Sequence, residues 1–263
     1  MKEKKTTAWE NSTYGDLVGE KGHFYHQSII LPQLLKIFKL KKITSLLDVG
    51  CGNGVLARHL PKNVHYIGID NSKQLILSAQ KSSPDRKFYL ADGTQKLPIE
   101  KKDFDAASFV LSLQNMENGS DAIFQVSQHL KTQGALILIL NHPCFRIPRQ
   151  SEWGYDETRK IQYRRLNLYM SDLKIPILMN PGKKNSTTTY SFHHPLHTIF
   201  KWLSDNHFLI ETVDEWCSDK KSEGAKAKAE DRARKEFPLF LSISARLQNT
   251  KNSDQKNLKI DRT

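Results

Sequence analysis

Short apolar runs alternate with amphipathic stretches along the first half of the chain. Runs at 45–49, 65–70, 87–91, 104–113 and 135–140 predict strands, and stretches at 55–60, 73–82 and 121–130 predict helices between them. Such alternation is typical of βαβ units, so the sequence predicts an α/β fold with a Rossmann-like, mainly parallel sheet and helices on both faces. The carboxyl ends of the strands then meet at one edge, where open α/β sheets bind ligands.

The pattern divides the chain into five segments. These are a helical lead-in (1–45), a Rossmann-like core (46–145), an inserted cap (146–190), the last helix and strands of the core (191–247) and a tail expected to be disordered (248–263). The last core elements are predicted as a helix at 196–206 and strands at 208–213 and 239–247. The segment 220–236 alternates in charge, which is typical of either a helix or a mobile loop.

A glycine-rich loop follows the first predicted strand directly. Gly50, Gly52 and Gly54 alternate there, which lets the chain turn sharply and lets a ligand approach the backbone. The helix start beyond them suits a carboxylate, because its N–H groups are unpaired and its dipole is positive. Asp48, at the end of the strand, can hold an ammonium group or orient the loop. The spacing differs from the GxGxxG loop of dinucleotide-binding folds.

Acidic residues end the next two strands. Asp70 lies 20 residues after Gly50, where a carboxylate can accept hydrogen bonds from both hydroxyls of a ribose. Asp92 and Gly93 end the third strand. An Asp-Gly pair is also a common turn signal, so ligand binding and a plain turn are equally good interpretations of this pair alone.

The run DVGCGNG at 48–54 resembles the first motif of the class I S-adenosylmethionine-dependent methyltransferases, especially the ubiquinone and menaquinone C-methyltransferases. The resemblance extends over about 46–140 and implies S-adenosylmethionine as the cofactor. The cofactor-binding residues that follow from it are Asp48, Gly50, Gly52, Asn53, Gly54, Asp70, Asn71, Asp92, Gly93 and Leu111. The segment 104–116 resembles the family's fourth-strand motif. It lacks the Asn/Asp-Pro-Pro-aromatic motif of DNA and RNA amino-methyltransferases, which counts against an exocyclic base nitrogen as acceptor.

Histidines are the candidates for a general base, which methyl transfer needs only if the acceptor loses a proton. His142, just after the fifth strand, and His26 are the catalytic candidates. For any single histidine, a surface or hydrogen-bonded loop position is the more common alternative. The adjacent pair at 193–194 lacks a third ligand, and the three cysteines lack a CxxC spacing. We therefore expect no metal.

The cap and the lead-in supply the candidates for the methyl acceptor's site. These are Tyr14, Tyr25, Asn115, Trp153 and His193. Cap aromatics can form a wall over a planar or apolar molecule, whereas five cap arginines can instead bind carboxylate or phosphate. Those arginines are Arg146, Arg149, Arg159, Arg164 and Arg165. A large cap favours an enclosed small-molecule pocket over an open nucleic-acid groove.

Charge leaves three functions open. The 263 residues carry a formal charge of +12, which is compatible with nucleic-acid binding, although the basic residues are scattered. The leading hypothesis is methyl transfer to an O- or C-acceptor in a small molecule. The alternatives are an RNA or protein methyltransferase with a basic surface, and a non-catalytic cofactor-binding regulatory module. The absence of a 20-residue apolar run, of an apolar signal segment and of a disulfide pattern favours a cytoplasmic protein without a membrane span. The oligomeric state stays open.

Overall fold

A seven-stranded sheet forms the centre of the computed structural model, which describes residues 22–178 and 188–249. The strands of the protein are β1 (Ser45–Val49), β2 (His65–Asp70), β3 (Lys87–Leu90), β4 (Phe104–Val110), β5 (Leu130–Asn141), β6 (Ser151–Asp156), β7 (Ile161–Leu166), β8 (Leu173–Leu178), β9 (Thr188–His193), β10 (Phe208–Trp216) and β11 (Phe240–Leu247). The sheet has the order β10-β11-β5-β4-β1-β2-β3. Neighbouring strands of the sheet run parallel, except that β11 is antiparallel to both β5 and β10. The predicted mainly parallel α/β sheet is thus confirmed.

Helices cover both faces of this sheet. They are α1 (Leu31–Leu40), α2 (Val55–His59), α3 (Lys73–Ser82), α4 (Gly119–Ser127), α5 (Leu196–Asp205) and α6 (Ala227–Glu236), with a π-helical turn at His26–Ile30 and a 3-10 turn at Leu113–Asn115. Successive residues of β1 point to opposite faces, as strand geometry requires. Leu46 joins an apolar cluster with α1 and α2, whereas Leu47 joins a cluster with α4 and α5. Pro32 lies in the first turn of α1, where its missing N–H is tolerated.

The structure shifts the predicted boundaries of three elements. The predicted strand 104–113 ends at Val110, because Leu111 adopts a left-handed φ of 54° and the chain enters the 3-10 turn. The predicted helix 121–130 begins earlier, at Gly119, and ends at Ser127. Leu130 instead begins β5, which runs through Gln133 with an irregular register rather than starting after a turn there.

Two hairpins occupy the segment predicted as a cap. One pairs β6 with β7 and the other pairs β8 with β9. The predicted cap limit at residue 190 lies inside β9, so the second hairpin continues to His193. In the segment 220–236, helix α6 begins at Ala227 and packs against β7.

Parts of the predicted lead-in and tail, residues 1–21 and 250–263, lie outside the described residues. Within the described ranges, no helix is long and apolar enough to cross a bilayer.

Candidate functional site: two cavities at the carboxyl edge of the sheet

The carboxyl ends of β1, β2 and β4 open into one cavity with about 990 Å³ of empty space, including its mouth. We call this the first cavity. Nine of the residues predicted to bind the cofactor line it: Asp48, Gly50, Gly52, Asn53, Asp70, Asn71, Asp92, Gly93 and Leu111. His26 and Asn115 line it as well. Gly54 is not among the lining residues of the described chain; it adopts a φ of 77° at the start of α2.

Gly50 is required by both its backbone and its surroundings. Its φ of +74° lies in the left-handed region, and a Cβ there would lie 2.3 Å from the Cβ of Ser112. The Ser112 hydroxyl donates a 2.6 Å hydrogen bond to the carbonyl oxygen of Val49. The glycine loop after β1 and the chain after β4 therefore touch without room for one more carbon atom.

Asp70 connects the glycine loop to the end of β2. Its two carboxylate oxygens accept hydrogen bonds of 2.9 Å from the N–H groups of Gly52 and Ser72. Burial raises the pKa of this carboxyl, and the hydrogen bonds from backbone N–H groups act in the opposite direction. A carboxylate has about four acceptor positions, so each oxygen retains capacity for a ligand hydroxyl.

Asp48 lies deeper, at the floor of the first cavity. It is 2% exposed, and its carboxylate accepts 2.8 Å hydrogen bonds from the hydroxyls of Tyr66 and Ser108. Burial raises the pKa of Asp48 to about 6, and the two hydroxyl bonds act against that rise. A buried carboxylate that has no cationic partner among the residues described is well suited to a ligand ammonium group.

Residues that directly follow the third and fourth strands also shape the first cavity. A Cβ on Gly93 would lie 2.5 Å from Cγ1 of Val49, so this position also needs a glycine. Asp92 accepts hydrogen bonds from the N–H and the hydroxyl of Thr94, which forms a tight turn. Leu111 lines the cavity with a φ of 54°, a conformation that non-glycine residues adopt rarely and mostly where surrounding contacts impose it.

His26 borders the first cavity as a neutral ring. It is 8% exposed, and its ring lies 4.1 Å from that of His23. Burial, followed by the charges of His23 and His59, lowers the pKa of His26 to about 4. Its Nδ1 is buried without a hydrogen-bond partner among the described residues.

His142 is placed differently from what a general base requires. It is 1% exposed and does not belong to the described lining of either cavity. Its Nδ1 accepts a 3.1 Å hydrogen bond from the N–H of Cys144, so Nε2 carries the proton and donates it to Glu215 over 2.6 Å. Both ring nitrogens are engaged, and this geometry speaks against the catalytic hypothesis for His142.

A second cavity lies on the other side of the 3-10 turn. Ser112 and Asn115 line the first cavity, whereas Leu113 and Gln114 line the second. The second cavity also includes His193 of β9 and residues of β5, α5 and the chain after β5. The β9 strand packs beside the 3-10 turn, so the second hairpin forms one wall.

His193 is the predicted acceptor-site residue that the structure places in the second cavity. Its Nε2 donates a 2.8 Å hydrogen bond to the carbonyl oxygen of Tyr169, which leaves Nδ1 as an acceptor. Burial lowers the pKa of His193. The ring is therefore neutral near pH 7.

Two other predicted acceptor residues lie outside the described linings of both cavities. The ring of Tyr25 packs 5.8 Å from Phe240, and Trp153 is 38% exposed beneath the guanidinium of Arg164. Tyr14 lies outside the described residues.

Sequence patterns did not identify several apolar lining residues of the first cavity, among them Val55, Leu75 and Met116. Apolar residues at these positions look like ordinary core residues in the sequence. Searched over the described ranges, the chain has no cluster of three or more His, Cys, Asp or Glu residues that could hold a metal ion.

Comparisons with known proteins identify the class. A family model described as a methyltransferase domain matches residues 47–138. A crystal structure of an S-adenosylmethionine-dependent methyltransferase from Mesorhizobium loti is similar with a TM-score of 0.59 and 25% identity, over 77% of this chain and 90% of the other. A ubiquinone/menaquinone biosynthesis C-methyltransferase from Campylobacter jejuni is 29% identical over 38% of this chain and 46% of its own length. N-methyltransferase 4 from Papaver somniferum is 28% identical over 68% of this chain and 49% of its own.

These findings and the geometry of the first cavity agree. Residues 47–138 match the methyltransferase domain, and the comparisons support a class I S-adenosylmethionine-dependent methyltransferase with S-adenosylmethionine as its cofactor. The first cavity fits that group, because the buried Asp48 and the half-buried Asp70 border a glycine loop that has no side chains to fill the space. The chain spans about half of the length of the two named relatives, so their substrates do not transfer to it.

Proposed function

We propose that the methyl acceptor is a small molecule held in the second cavity, beneath the β8–β9 hairpin. The observation that carries this proposal is the shared wall between the two cavities. Consecutive residues of one turn, Ser112 and Leu113, line the first and the second cavity respectively. An acceptor in the second cavity is thus separated from the cofactor's cavity by a single turn of chain.

For the cofactor we propose roles that follow from the contacts in the first cavity. Asp70 accepts hydrogen bonds from the ribose hydroxyls, and Asp48 balances the ammonium group. The loop of Gly50 and Gly52 borders the amino-acid part of the cofactor. Asp92, with Gly93, borders the adenine. When bound, the cofactor supplies an electrophilic methyl group, and the chain's task is to orient the acceptor in line with it.

For the acceptor atom we propose oxygen or carbon. One of the two relatives is a C-methyltransferase and the other an N-methyltransferase, so the family alone does not decide the acceptor atom. An oxygen or carbon acceptor loses a proton, which a neutral group near the reaction must take. His193 has an unprotonated Nδ1 and lines the second cavity, whereas His26 is a neutral ring that lines the first. Because His193 lines the cavity proposed for the acceptor, we assign the proton to His193.

The first test is transfer of labelled methyl from S-adenosylmethionine into a cell lysate that is then fractionated into small molecules, RNA and protein. Label in the small-molecule fraction is the expected result. Label in RNA or protein refutes the enclosed-acceptor proposal and favours the basic-surface alternative. Binding of the cofactor without transfer into any fraction favours the regulatory module.

An Asp70→Asn variant tests the proposed role of Asp70 in cofactor binding. It removes the negative charge at Asp70 and one acceptor oxygen, so we expect cofactor binding to weaken by about 1.5–3 kcal/mol, or roughly 10- to 150-fold. Asp85→Asn, an exposed carboxylate outside both cavities, is the matched control and should bind like the native chain. Titration calorimetry measures both, and equal affinities would remove Asp70 from the site.

A further inference from the structure

Arg146 brings a positive charge to the second cavity that no carboxylate of the described residues neutralises. The residue lies in the chain between β5 and β6 and lines the cavity. Its guanidinium carbon lies 5.1 Å from the ring centroid of Phe240. The one hydrogen bond that its guanidinium makes among the described residues is a weak contact of 3.5 Å from Nη1 to the carbonyl oxygen of Leu239.

The other described arginine beside it does not share this condition. Arg164 donates from Nε to the carbonyl oxygen of Phe145 and from Nη2 to the hydroxyl of Ser151, and its guanidinium lies 5.0 Å over Trp153. Two of its five donors thus fix the first hairpin. The half-buried Arg146 makes only one weak side-chain hydrogen bond within the described residues.

Burial lowers the pKa of the Arg146 guanidinium, which the nearby Tyr25 hydroxyl opposes and Arg164 reinforces. A guanidinium nevertheless stays protonated in proteins. A half-buried charge with unused donors lacks favourable interactions until an anion arrives.

We infer that Arg146 binds a carboxylate of the methyl acceptor, so that the substrate class is an apolar or aromatic acid. This inference rests on the proposed function and specifies its substrate. Phe192, Ile199 and Trp202 provide apolar walls for the body of such a molecule. One uncompensated cation matches one carboxylate, and the planar fork of arginine matches its geometry. The bound carboxylate is an anchor and keeps its charge, while another atom of the acceptor receives the methyl group.

The experiment first determines the charge of the labelled product. The small-molecule fraction of the lysate reaction is passed over an anion exchanger at pH 7 and again at pH 2. Retention at pH 7 and release at pH 2 is the result expected for a carboxylic acid. A product that is neutral or cationic at pH 7, or still retained at pH 2 as a phosphate ester would be, overturns the inference while leaving a small-molecule acceptor in place. Label only in RNA or protein refutes the proposed function itself.

Variants then test Arg146 with the same fraction as the probe. Arg146→Met should raise the KM for the acceptor, measured by dilution of the fraction, on the order of ten- to hundredfold, with cofactor affinity unchanged. Arg159→Met, which removes an exposed cap arginine, is the matched control and should keep the native KM. An unchanged KM in Arg146→Met overturns the inference. If that variant does not fold, Arg146→Lys keeps the charge and loses the fork, so its KM should rise several-fold, and an unchanged KM there is equally decisive.

Discussion

The contact between Gly50 and Ser112 makes a prediction that can be worked out from distances. In Gly50→Ala, the new Cβ would lie 2.3 Å from Cβ and 2.8 Å from Oγ of Ser112. A left-handed alanine costs about 1–2 kcal/mol, and forcing an extra carbon into a packed site costs roughly another 1–3 kcal/mol. Ser112 cannot move away without weakening its hydrogen bond to Val49. We expect a loss of about 2–5 kcal/mol in the free energy of unfolding.

Gly52 supplies a matched control two residues along the same loop. Its φ is +56°, but a Cβ there meets nothing within 4 Å. Gly52→Ala therefore carries the backbone cost of about 1–2 kcal/mol without the clash. Both substitutions also reduce the entropy of the unfolded chain equally, so this contribution cancels in the comparison.

Urea unfolding without cofactor measures both variants, with the m-value as a check that the unfolded state is unchanged. The expected difference is at least about 1 kcal/mol in the direction of greater loss for Gly50→Ala. Combining Gly50→Ala with Ser112→Gly should recover part of the loss, because the contacting Cβ is removed. Equal losses in the two single variants, within about 0.5 kcal/mol, would refute the close contact between the loop and the turn.

Three further predictions concern titrating and buried groups. Because burial raises the pKa of Asp48 to about 6, its carboxylate gains a proton as the pH falls through 6. Cofactor affinity measured by calorimetry should then fall by up to roughly tenfold per pH unit. The Asp48→Asn variant should bind the cofactor weakly at every pH. His26 has its pKa lowered from 6.5 to about 4 in the folded protein, so its contribution to stability is complete above 6.5 and is lost as the pH falls towards 4. The unfolding free energy of the native chain should therefore fall by roughly 2–4 kcal/mol more over that window than that of His26→Asn, and parallel pH profiles would contradict the burial of a neutral ring. His142→Gln removes the acceptor for the Cys144 N–H, so it should lower the free energy of unfolding by about 1–3 kcal/mol but leave kcat of the folded enzyme within about threefold. A far larger loss of kcat at native stability would restore the catalytic hypothesis for His142.

The sequence predicted the parts of the fold that depend on local pattern. The strands β1 and β2 stand where their apolar runs predicted them, because a buried parallel strand needs a continuous apolar segment. The glycine loop was found for a similar reason. A left-handed turn and a close backbone contact both require glycine, so the glycine at position 50 was enough to predict both features.

The parts that the sequence could not supply depend on distant contacts. β4 ends where Leu111 adopts a left-handed backbone. Leucine disfavours this conformation, so the residue type does not predict the end of the strand. His142 looked available because its partner Glu215 is 73 residues away. The uncompensated charge of Arg146 likewise becomes visible only when the described carboxylates are placed in space, since five cap arginines look alike in sequence.

The 3-10 turn between the two cavities is the element on which in-line transfer depends. The acceptor atom and the methyl group must touch past the edge of this turn and not through it, so the turn has to be short, and it has to be rigid, so that their alignment is kept. The turn has three residues. Rigidity follows from hydrogen bonds that reach three strand ends: Ser112 to Val49 of β1, Asn115 to Leu111 after β4, and the Asn141 N–H of β5 to Gln114. The left-handed Leu111 at the start of this segment is the conformation that lets one chain satisfy all three.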